Sequence, residues 1–228
     1  EYVPYAGCPE RSIAVLGGVF PYPVFDGRNA LQKSAVYSFV KNVGNYGNMY
    51  PVGKSVSAWY GGWMAAALAA LGDKSEAVNR LSQVAEGTGC FCEVFEINEE
   101  KVVMRPWFST AAGNFVYAVN QVLLQCRDDQ ILIAPAAPDS WKDFCFTLPC
   151  YEDLVATVSV KDGRLHALTL TPGNPKKPYR RTLIVPERLM SENAVRGSAV
   201  KAATRKDGAL WLDLQFQGRL TLLDASPQ

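Results

Sequence analysis

One carboxylate, Glu93, lies inside the apolar and aromatic run CFCEVF of residues 90–95. An acidic group among such neighbours is partly desolvated, which would raise its pKa and suit it to proton transfer. The alternative is that Glu93 only borders a core segment, with its carboxylate reaching solvent or the end of a helix. The run therefore makes Glu93 a candidate general base and leaves a structural role open.

The elements on either side of Glu93 are predicted to be helices. Apolar residues keep helical spacing over residues 56–71, and Asp73 with Glu76 marks the start of a second helix over 74–85. Two helices joined by such a short turn form an αα-hairpin. After Pro106, Ser109 or Thr110 is the predicted N-cap of a helix that runs to about residue 126. A less regular helix is expected over residues 27–43.

Beyond Asp129 the hydrophobic period changes from 3.6 to two, which indicates strands. The pairs Asp162-Gly163 and Asp207-Gly208 are typical of two-residue hairpin turns. The Asp162-Gly163 turn places Val160 opposite Leu165 and His166 opposite Ser159. His166 is therefore predicted to be a residue of the sheet surface rather than a catalytic one. The predicted strands are residues 131–134, 144–148, 154–160, 165–170, 179–185, 199–204, 209–214 and 220–223.

These patterns predict an α+β chain of two domains. Residues 1–128 would form a helical region, and residues 129–228 a C-terminal antiparallel β-sandwich. No helix longer than two turns is expected after Asp129. The loop around Lys176 and Lys177 is expected to be exposed, with both side chains simply solvated.

Composition excludes several classes of partner. The chain has 228 residues, 48% of them apolar, and a formal net charge of +1. This charge gives no reason to expect nucleic acid or an anionic membrane as a partner. No stretch has the roughly 18 apolar residues of a membrane span. The first residue is Glu1 rather than Met, and we expect the sequence to be a piece of a longer polypeptide.

The cysteines suggest a reducing compartment. Most of the six lie within apolar runs, so we predict six unpaired thiols in a cytoplasmic protein rather than a disulfide scaffold. The spacing of Cys90 and Cys92 is too tight for the usual zinc pair, and His166 is the only histidine. No metal and no cofactor are therefore predicted. The six are Cys8, Cys90, Cys92, Cys126, Cys145 and Cys150.

Two segments resemble a known family. EGTGCFCEVFE (86–96) and PWFSTAAGNFVYAVN (106–120) are similar to the active-site segments of six-hairpin (α/α)-barrel glycoside hydrolases, nearest to the α-L-rhamnosidases. WYGGWMAAALAALGD (59–73) is similar to the hairpin helices of such a toroid, which end at a Gly-Asp turn. The resemblance implies that the chain is the C-terminal part of a six-hairpin glycosidase, in which a β-sandwich follows the barrel.

The resemblance also assigns roles to residues. The family's general base falls on Glu93, and its general acid lies well upstream, with only a short likeness in this chain at Glu10. Cys92 stands where the rhamnosidases carry a Trp before that Glu. Substrate contacts by ring stacking or hydroxyl binding would come from Trp59, Tyr60, Trp63, Arg105, Trp107 and Asn114. The alternatives are that the aromatic rings pack in the core of the helix hairpin and that Arg105 forms an ion pair at the surface.

Three functions remain open. The first is hydrolysis of an oligosaccharide or glycoside by a longer protein, the chain alone lacking the general acid. The second is a glycoside phosphorylase, in which Ser109, Thr110 and Arg105 would hold phosphate at a helix N-terminus. The third is a non-catalytic interaction or accessory module. A partial barrel exposes apolar helix faces, so we expect self-association or contact with the missing N-terminal part.

Overall fold

The computed structural model describes residues 17–19, 30–31, 33–34, 37, 58–87, 92–98, 101–190 and 197–223. For 92–98 and 101–106 it describes the backbone. The chain separates into two compact units, Glu1–Val122 and Leu123–Gln228. Glu10, Cys8, Cys90 and most of the predicted helix over 27–43 lie outside the described residues.

The first unit contains the helical hairpin predicted from the sequence. Helix α1 (Ala58–Ala70) is followed by α2 (Lys74–Gly87). Gly72 has a φ of 79° and donates to Ala69 O, while Asp73 N donates to Leu68 O, so α1 ends in a Schellman motif. Asp73 then caps α2, since its Oδ1 accepts from the backbone N–H of Glu76 at 3.1 Å.

Helix α1 is buried on almost every side, and two adjacent glycines make this possible. A Cβ on Gly61 would collide with the side chain of Val84 in α2. A Cβ on Gly62 would lie 3.0 Å from the carbonyl carbon of Asn114, in helix α3 (Ser109–Leu123). Each glycine therefore lets one neighbouring helix approach the α1 backbone, because neither has a side chain to separate them.

Two strands interrupt the region predicted to be helical. Strand β1 (Cys92–Asn98) pairs antiparallel with β2 (Lys101–Pro106). The part of the apolar run from Cys92 onward, which includes Glu93, is therefore extended. From residue 58 to residue 128 the described elements are both helices and strands, whereas helices alone were predicted there.

Helix α3 begins and ends earlier than predicted. The carbonyl of Phe108 accepts the first helical hydrogen bonds, from Ala111 and Ala112, so Phe108 is the N-cap. Ser109 and Thr110 are therefore exposed residues of the first turn, and the prediction that one of them is the cap is wrong. The helix stops at Leu123 because the chain turns directly into strand β3 (Leu124–Arg127).

The second unit contains all eight predicted strands, together with β3, which the sequence did not reveal. One sheet has the order β3-β4-β8-β10-β9 and the other β11-β7-β6-β5. All pairings are antiparallel except β4 with β8, which is parallel. The strands are β4 (Gln130–Ile133), β5 (Phe144–Pro149), β6 (Leu154–Lys161), β7 (Arg164–Pro172), β8 (Pro178–Pro186), β9 (Val200–Lys206), β10 (Ala209–Gln217) and β11 (Leu220–Leu223).

The strands bury alternate residues, as expected of two sheets with one inner face each. In β10 the four residues Leu210, Leu212, Leu214 and Phe216 are buried, and their neighbours are more exposed. The architecture is α+β, and the second unit is consistent with a β-sandwich. In the part of the chain that the structure describes, no helix is long and apolar enough to cross a membrane.

Both predicted hairpin turns are present, with one change of register. Asp162 and Gly163 have φ of 51° and 74°, and Asp207 and Gly208 have 53° and 70°. Val160 faces Leu165 as predicted, but Ser159 faces Ala167. His166 is the extra residue of a β-bulge, so its predicted pairing with Ser159 is wrong. His166 is exposed, as expected of a residue on the sheet surface.

Candidate functional site

The two strands of the first unit place Glu93 directly opposite Arg105. Residues directly opposite each other in an antiparallel pair lie on one face, with Cβ atoms usually about 4.5–5.5 Å apart. A candidate base and a candidate hydroxyl-binding cation are thus neighbours, although 12 positions separate them in the sequence. The β1–β2 hairpin brings this pair together.

A β-bulge at Phe95 changes which residues accompany Glu93. The register shifts between Val94 and Glu96, so that Glu96 faces Val103. Simple alternation along an extended strand would place Glu96 on the opposite face, together with Cys92 and Val94. The extra residue instead returns Glu96 to the face of Glu93. Two carboxylic residues therefore occupy one face, two ladder steps or about 7 Å apart along the strand.

The bulge gives the hairpin two chemically different faces. One face carries Glu93, Glu96, Asn98, Lys101, Val103 and Arg105. The other carries Cys92, Val94, Ile97, Val102, Met104 and Pro106. The first face is suited to polar ligands and the second to packing. Glu93 thus belongs to the polar face of the hairpin.

Trp107 directly follows the hairpin and is exposed. Its side chain is 83% accessible, and its φ is 61°, a left-handed conformation that is unusual for a bulky residue. An exposed ring held on a strained backbone is a feature that clusters at functional sites. Only one residue, Pro106, separates it from Arg105, so of the predicted aromatic contacts Trp107 is the one nearest in sequence to the Glu93–Arg105 pair.

The three aromatic residues of α1 form a ring cluster. The ring centroids of Trp59 and Tyr60 lie 5.2 Å apart in an edge-to-face arrangement, and those of Trp59 and Trp63 lie 5.9 Å apart with the rings tilted. All three residues are half-buried. Trp59 also packs against the apolar cluster of Ala58, Val84 and Ala111, which joins the three helices. Trp59 therefore contributes to the packing of the three helices.

Asn114 has a partner in the fold. Its Nδ2 donates to the backbone carbonyl of Trp59 at 3.3 Å, and its backbone lies against Gly62. The side chain ties α3 to α1. A structural role thus accounts for this residue, although it was predicted as a substrate contact.

The predicted site residues all belong to adjoining elements of the first unit. Helix α1, which carries Trp59 and Trp63, lies against β1, which carries Glu93. Strand β2 carries Arg105 and leads through Trp107 into α3. The candidate residues thus lie on adjoining elements of this unit, and their convergence into one site stays a prediction.

A second polar contact of this unit was not predicted. Tyr37 Oη donates to Asp73 Oδ2 at 2.6 Å. Burial and this bond to a carboxylate, with the charge of Glu76 nearby, raise the pKa of Tyr37 above its usual range. The phenol is therefore a firmly protonated donor to the N-cap of α2.

A charged cluster in the second unit corrects another prediction. Lys177 Nζ lies 3.0 Å from Glu152 Oε2, and Arg181 Nη2 lies 2.9 Å from the same oxygen. Both cations also approach the ring of Tyr179, at 5.3 and 5.8 Å. Lys177 is thus paired, whereas we had expected it to be merely solvated. Arg181 first, and then Lys177, hold the pKa of Glu152 below its usual range.

Cys126, Cys145 and Cys150, the cysteines whose side chains the structure describes, are free thiols, as predicted for them. In the described ranges no three His, Cys, Asp or Glu side chains converge as a metal site would require. Sequence reasoning missed the face on which Glu96 lies and the close packing at the adjacent glycines of α1. The two glycines in WYGGWM were a sequence signal for close helix packing, whereas the face of Glu96 depends on a bulge.

Comparison with known proteins gives little. No protein-family model matches the chain, and no curated protein matches it. Among solved structures, a protein from the human microbiome named as a kojibiose phosphorylase aligns with 75% of this chain at 11% identity and a TM-score of 0.36. The chain spans 20% of the length of that protein. A likeness at this level defines neither fold nor activity.

Proposed function

We propose that this chain is the C-terminal portion of a carbohydrate-active enzyme that cleaves glycosidic bonds, with a six-hairpin helical toroid ahead of the β-sandwich. Glu93 is its general base. The observation that carries the proposal is the pairing of Glu93 with Arg105 on the polar face of a hairpin that leads into the exposed Trp107. The resemblance of residues 86–96 and 106–120 to the active-site segments of six-hairpin glycosidases supports the same assignment.

The residues have separate tasks in this proposal. Glu93 accepts a proton from the attacking water, and Arg105 keeps the carboxylate ionised and binds a sugar hydroxyl. Trp107 supplies an apolar ring on which a sugar face stacks. The acid that protonates the leaving oxygen comes from the upstream part of the longer protein. In an inverting enzyme the two carboxyl groups lie about 6.5–9.5 Å apart, which leaves room for the water.

The test is a pair of amide substitutions in the longer polypeptide. Glu93→Gln keeps the volume of the side chain and removes its basicity, so turnover should fall by about 10²–10⁴-fold with little change in thermal stability or sugar binding. Glu96→Gln is the matched control, since it neutralises the next carboxylate on the same face, and it should retain turnover. Normal turnover by Glu93→Gln would reject Glu93 as the base.

The isolated chain of 228 residues provides a second measurement. We expect it to fold and to give no turnover on aryl glycosides, because the general acid is not among its residues. Robust glycosidase activity of this chain alone would contradict its assignment as a portion of an enzyme.

A phosphorylase is the second candidate, and one observation favours it. Ser109 and Thr110 are both exposed in the first turn of α3, which contains no acidic residue, and they directly follow Phe108 and Trp107. Backbone amides and hydroxyls at such a helix start suit a phosphate group. Cleavage that depends on added phosphate and releases a sugar phosphate would identify this reaction, whereas cleavage without phosphate would identify the hydrolase.

A further inference from the structure

The second unit contains a cleft of its own, at the end of the sheet where β10 continues past β9. Its volume is about 530 Å³, and it is open to solvent rather than enclosed. Sites for small ligands usually measure about 300–1,000 Å³, so the cleft is large enough for a sugar unit. The polar side chains that line it include Lys201, Gln215, Gln217 and Arg219.

The cleft exists because β9 is shorter than β10. Strand β9 begins at Val200, which faces Leu214, whereas β10 continues to Gln217 and pairs there with β8. The backbone N–H of Gln215 donates to Ala199 O at 2.8 Å, just before β9 begins. Backbone groups point to alternate sides along a strand, so those of Gln217 lie on the side that β9 does not cover. The cleft is thus bordered by a strand edge, which offers polar backbone groups to a ligand.

The charge of the cleft is positive. Of the described residues that line it, Lys201 and Arg219 are basic and none is acidic. Lys201 Nζ donates to Ser198 O at 2.7 Å, which holds the ammonium group at the cleft. The acid of β10, Asp213, does not line the cleft and accepts a hydrogen bond from Thr182 Oγ1 at 3.2 Å. Two cations without a lining carboxylate favour an anionic ligand.

The other lining side chains suit the hydroxyl groups and the C–H surface of a sugar. Gln217 Nε2 donates to Lys176 O at 2.9 Å, which fixes this amide and leaves its Oε1 as an acceptor. Gln215 is exposed two residues earlier, on the same face of β10. Between them, Phe216 is buried and stacks on Tyr179 with ring centroids 5.6 Å apart, so it forms a rigid apolar wall.

We propose that this cleft binds an anionic saccharide of the uronic acid class. Lys201 and Arg219 bind the carboxylate, for which a guanidinium group is the best geometric match, and Gln215 and Gln217 bind ring hydroxyls. The choice of an anion rests on the cleft alone, whereas the choice of a saccharide rests on the function proposed above. With no acidic residue among its described lining residues, the cleft holds the saccharide without cleaving it.

The test is a titration of the full chain of 228 residues with a tetramer of galacturonic acid, and with the same tetramer after reduction of its carboxyl groups. The acidic tetramer should bind at least about tenfold more tightly in calorimetry, and its affinity should fall as salt is raised. The side-chain amide signals of Gln215 and Gln217 should shift in NMR spectra when the acidic tetramer is added, which locates the binding.

Charge-removing variants provide the matched comparison. Arg219→Gln and Lys201→Gln should each weaken binding of the acidic tetramer by about tenfold. Both side chains are exposed, so the melting temperature should stay that of the wild type. Lys161→Gln is the control, because Lys161 is an exposed cation at the end of β6 that does not line the cleft. It should bind as the wild type does.

Three results would overturn the proposal. Equal affinity for the acidic and the reduced tetramer would show that charge is not recognised, and this comparison needs no variant to fold. Binding of tetraglutamate as tightly as the acidic tetramer would show that the cleft selects charge and not a sugar. Unchanged affinity when Arg219→Gln and Lys201→Gln are combined would place the binding elsewhere. Turnover by Glu93→Gln tests the proposed function separately, because Glu93 does not line this cleft.

Discussion

Glu93 and Arg105 face each other across the β1–β2 ladder. Opposite charges in such a position attract, and the attraction favours the ionised carboxylate. A general base must be ionised to accept a proton, so the pairing supports the role proposed for Glu93. It also makes the pH dependence of turnover a direct probe of the pair.

The first prediction concerns that pH dependence. Arg105→Gln removes the cation opposite Glu93, which in the proposed role favours the ionised carboxylate, so the base should stay protonated to higher pH. Because the base works only above its pKa, the acidic limb of the pH profile for kcat/KM in the longer protein should move to higher pH. Lys101→Gln is the control, since Lys101 is on the same strand but faces Asn98. An unshifted acidic limb in Arg105→Gln would contradict the pairing.

The second prediction separates the two properties of Trp107. Both Trp107→Gly and Trp107→Ala remove the ring, so both should weaken sugar binding in the longer protein. Only glycine relieves the backbone at a φ of 61°, so Trp107→Gly should be more stable than Trp107→Ala by about 1 kcal/mol. Chemical denaturation and ligand titration measure the two effects. Unchanged binding would show that Trp107 is not a sugar platform.

Much of the fold could be predicted because its signals are local. The αα-hairpin followed from helical spacing with Gly72 and Asp73 at its turn, and the strands followed from alternation and two Asp-Gly turns. Strand β3 was missed because Leu123 and Leu124 continue the apolar pattern of α3. Strand β3 is hydrogen-bonded to β4, which follows it after Asp128 and Asp129, and helical periodicity in the sequence does not indicate this pairing.

The site could be predicted only in part. Glu93 is a candidate because of its apolar neighbours and the resemblance, and its role stays a prediction. The bulges at Phe95 and His166 reverse the simple alternation of faces beyond them. A bulge inserts one residue without a clear sequence signal, so the position of Glu96 depended on the register.

The third prediction uses the depressed pKa of Glu152. A carboxyl whose pKa is lower in the folded state contributes stability above the unfolded pKa, and that stability is lost as pH falls through the folded pKa. Glu152→Gln should therefore melt at a lower temperature than the wild type at pH 7, and the difference should shrink as the pH falls through the depressed folded pKa of Glu152. High salt should also reduce this difference in melting temperature, since the Glu152 carboxylate is exposed and salt screens its ion pairs.

Glu187→Gln is the control for this measurement. Glu187 is an exposed carboxylate on the same unit, and no ion pair joins it to another described residue. Glu187→Gln should change the melting temperature only slightly, and by the same amount at pH 7 and at pH 3. A difference between Glu152→Gln and the wild type that persists unchanged at low pH would show that the ion pairs with Arg181 and Lys177 are not its cause.

The last prediction tests the close approach of α1 and α3. Gly62→Ala places a methyl group 3.0 Å from the carbonyl carbon of Asn114 and 3.1 Å from the backbone nitrogen of Phe115. These are backbone atoms of a packed helix, so α3 must shift, and overpacking of this kind costs about 1–3 kcal/mol. Gly113→Ala is the matched control, because Gly113 is an exposed position of α3 where an added Cβ meets nothing within 4 Å. It should stabilise the helix by about 0.4–1 kcal/mol. Equal stabilities of the two variants in urea denaturation would show that α1 and α3 do not approach through Gly62.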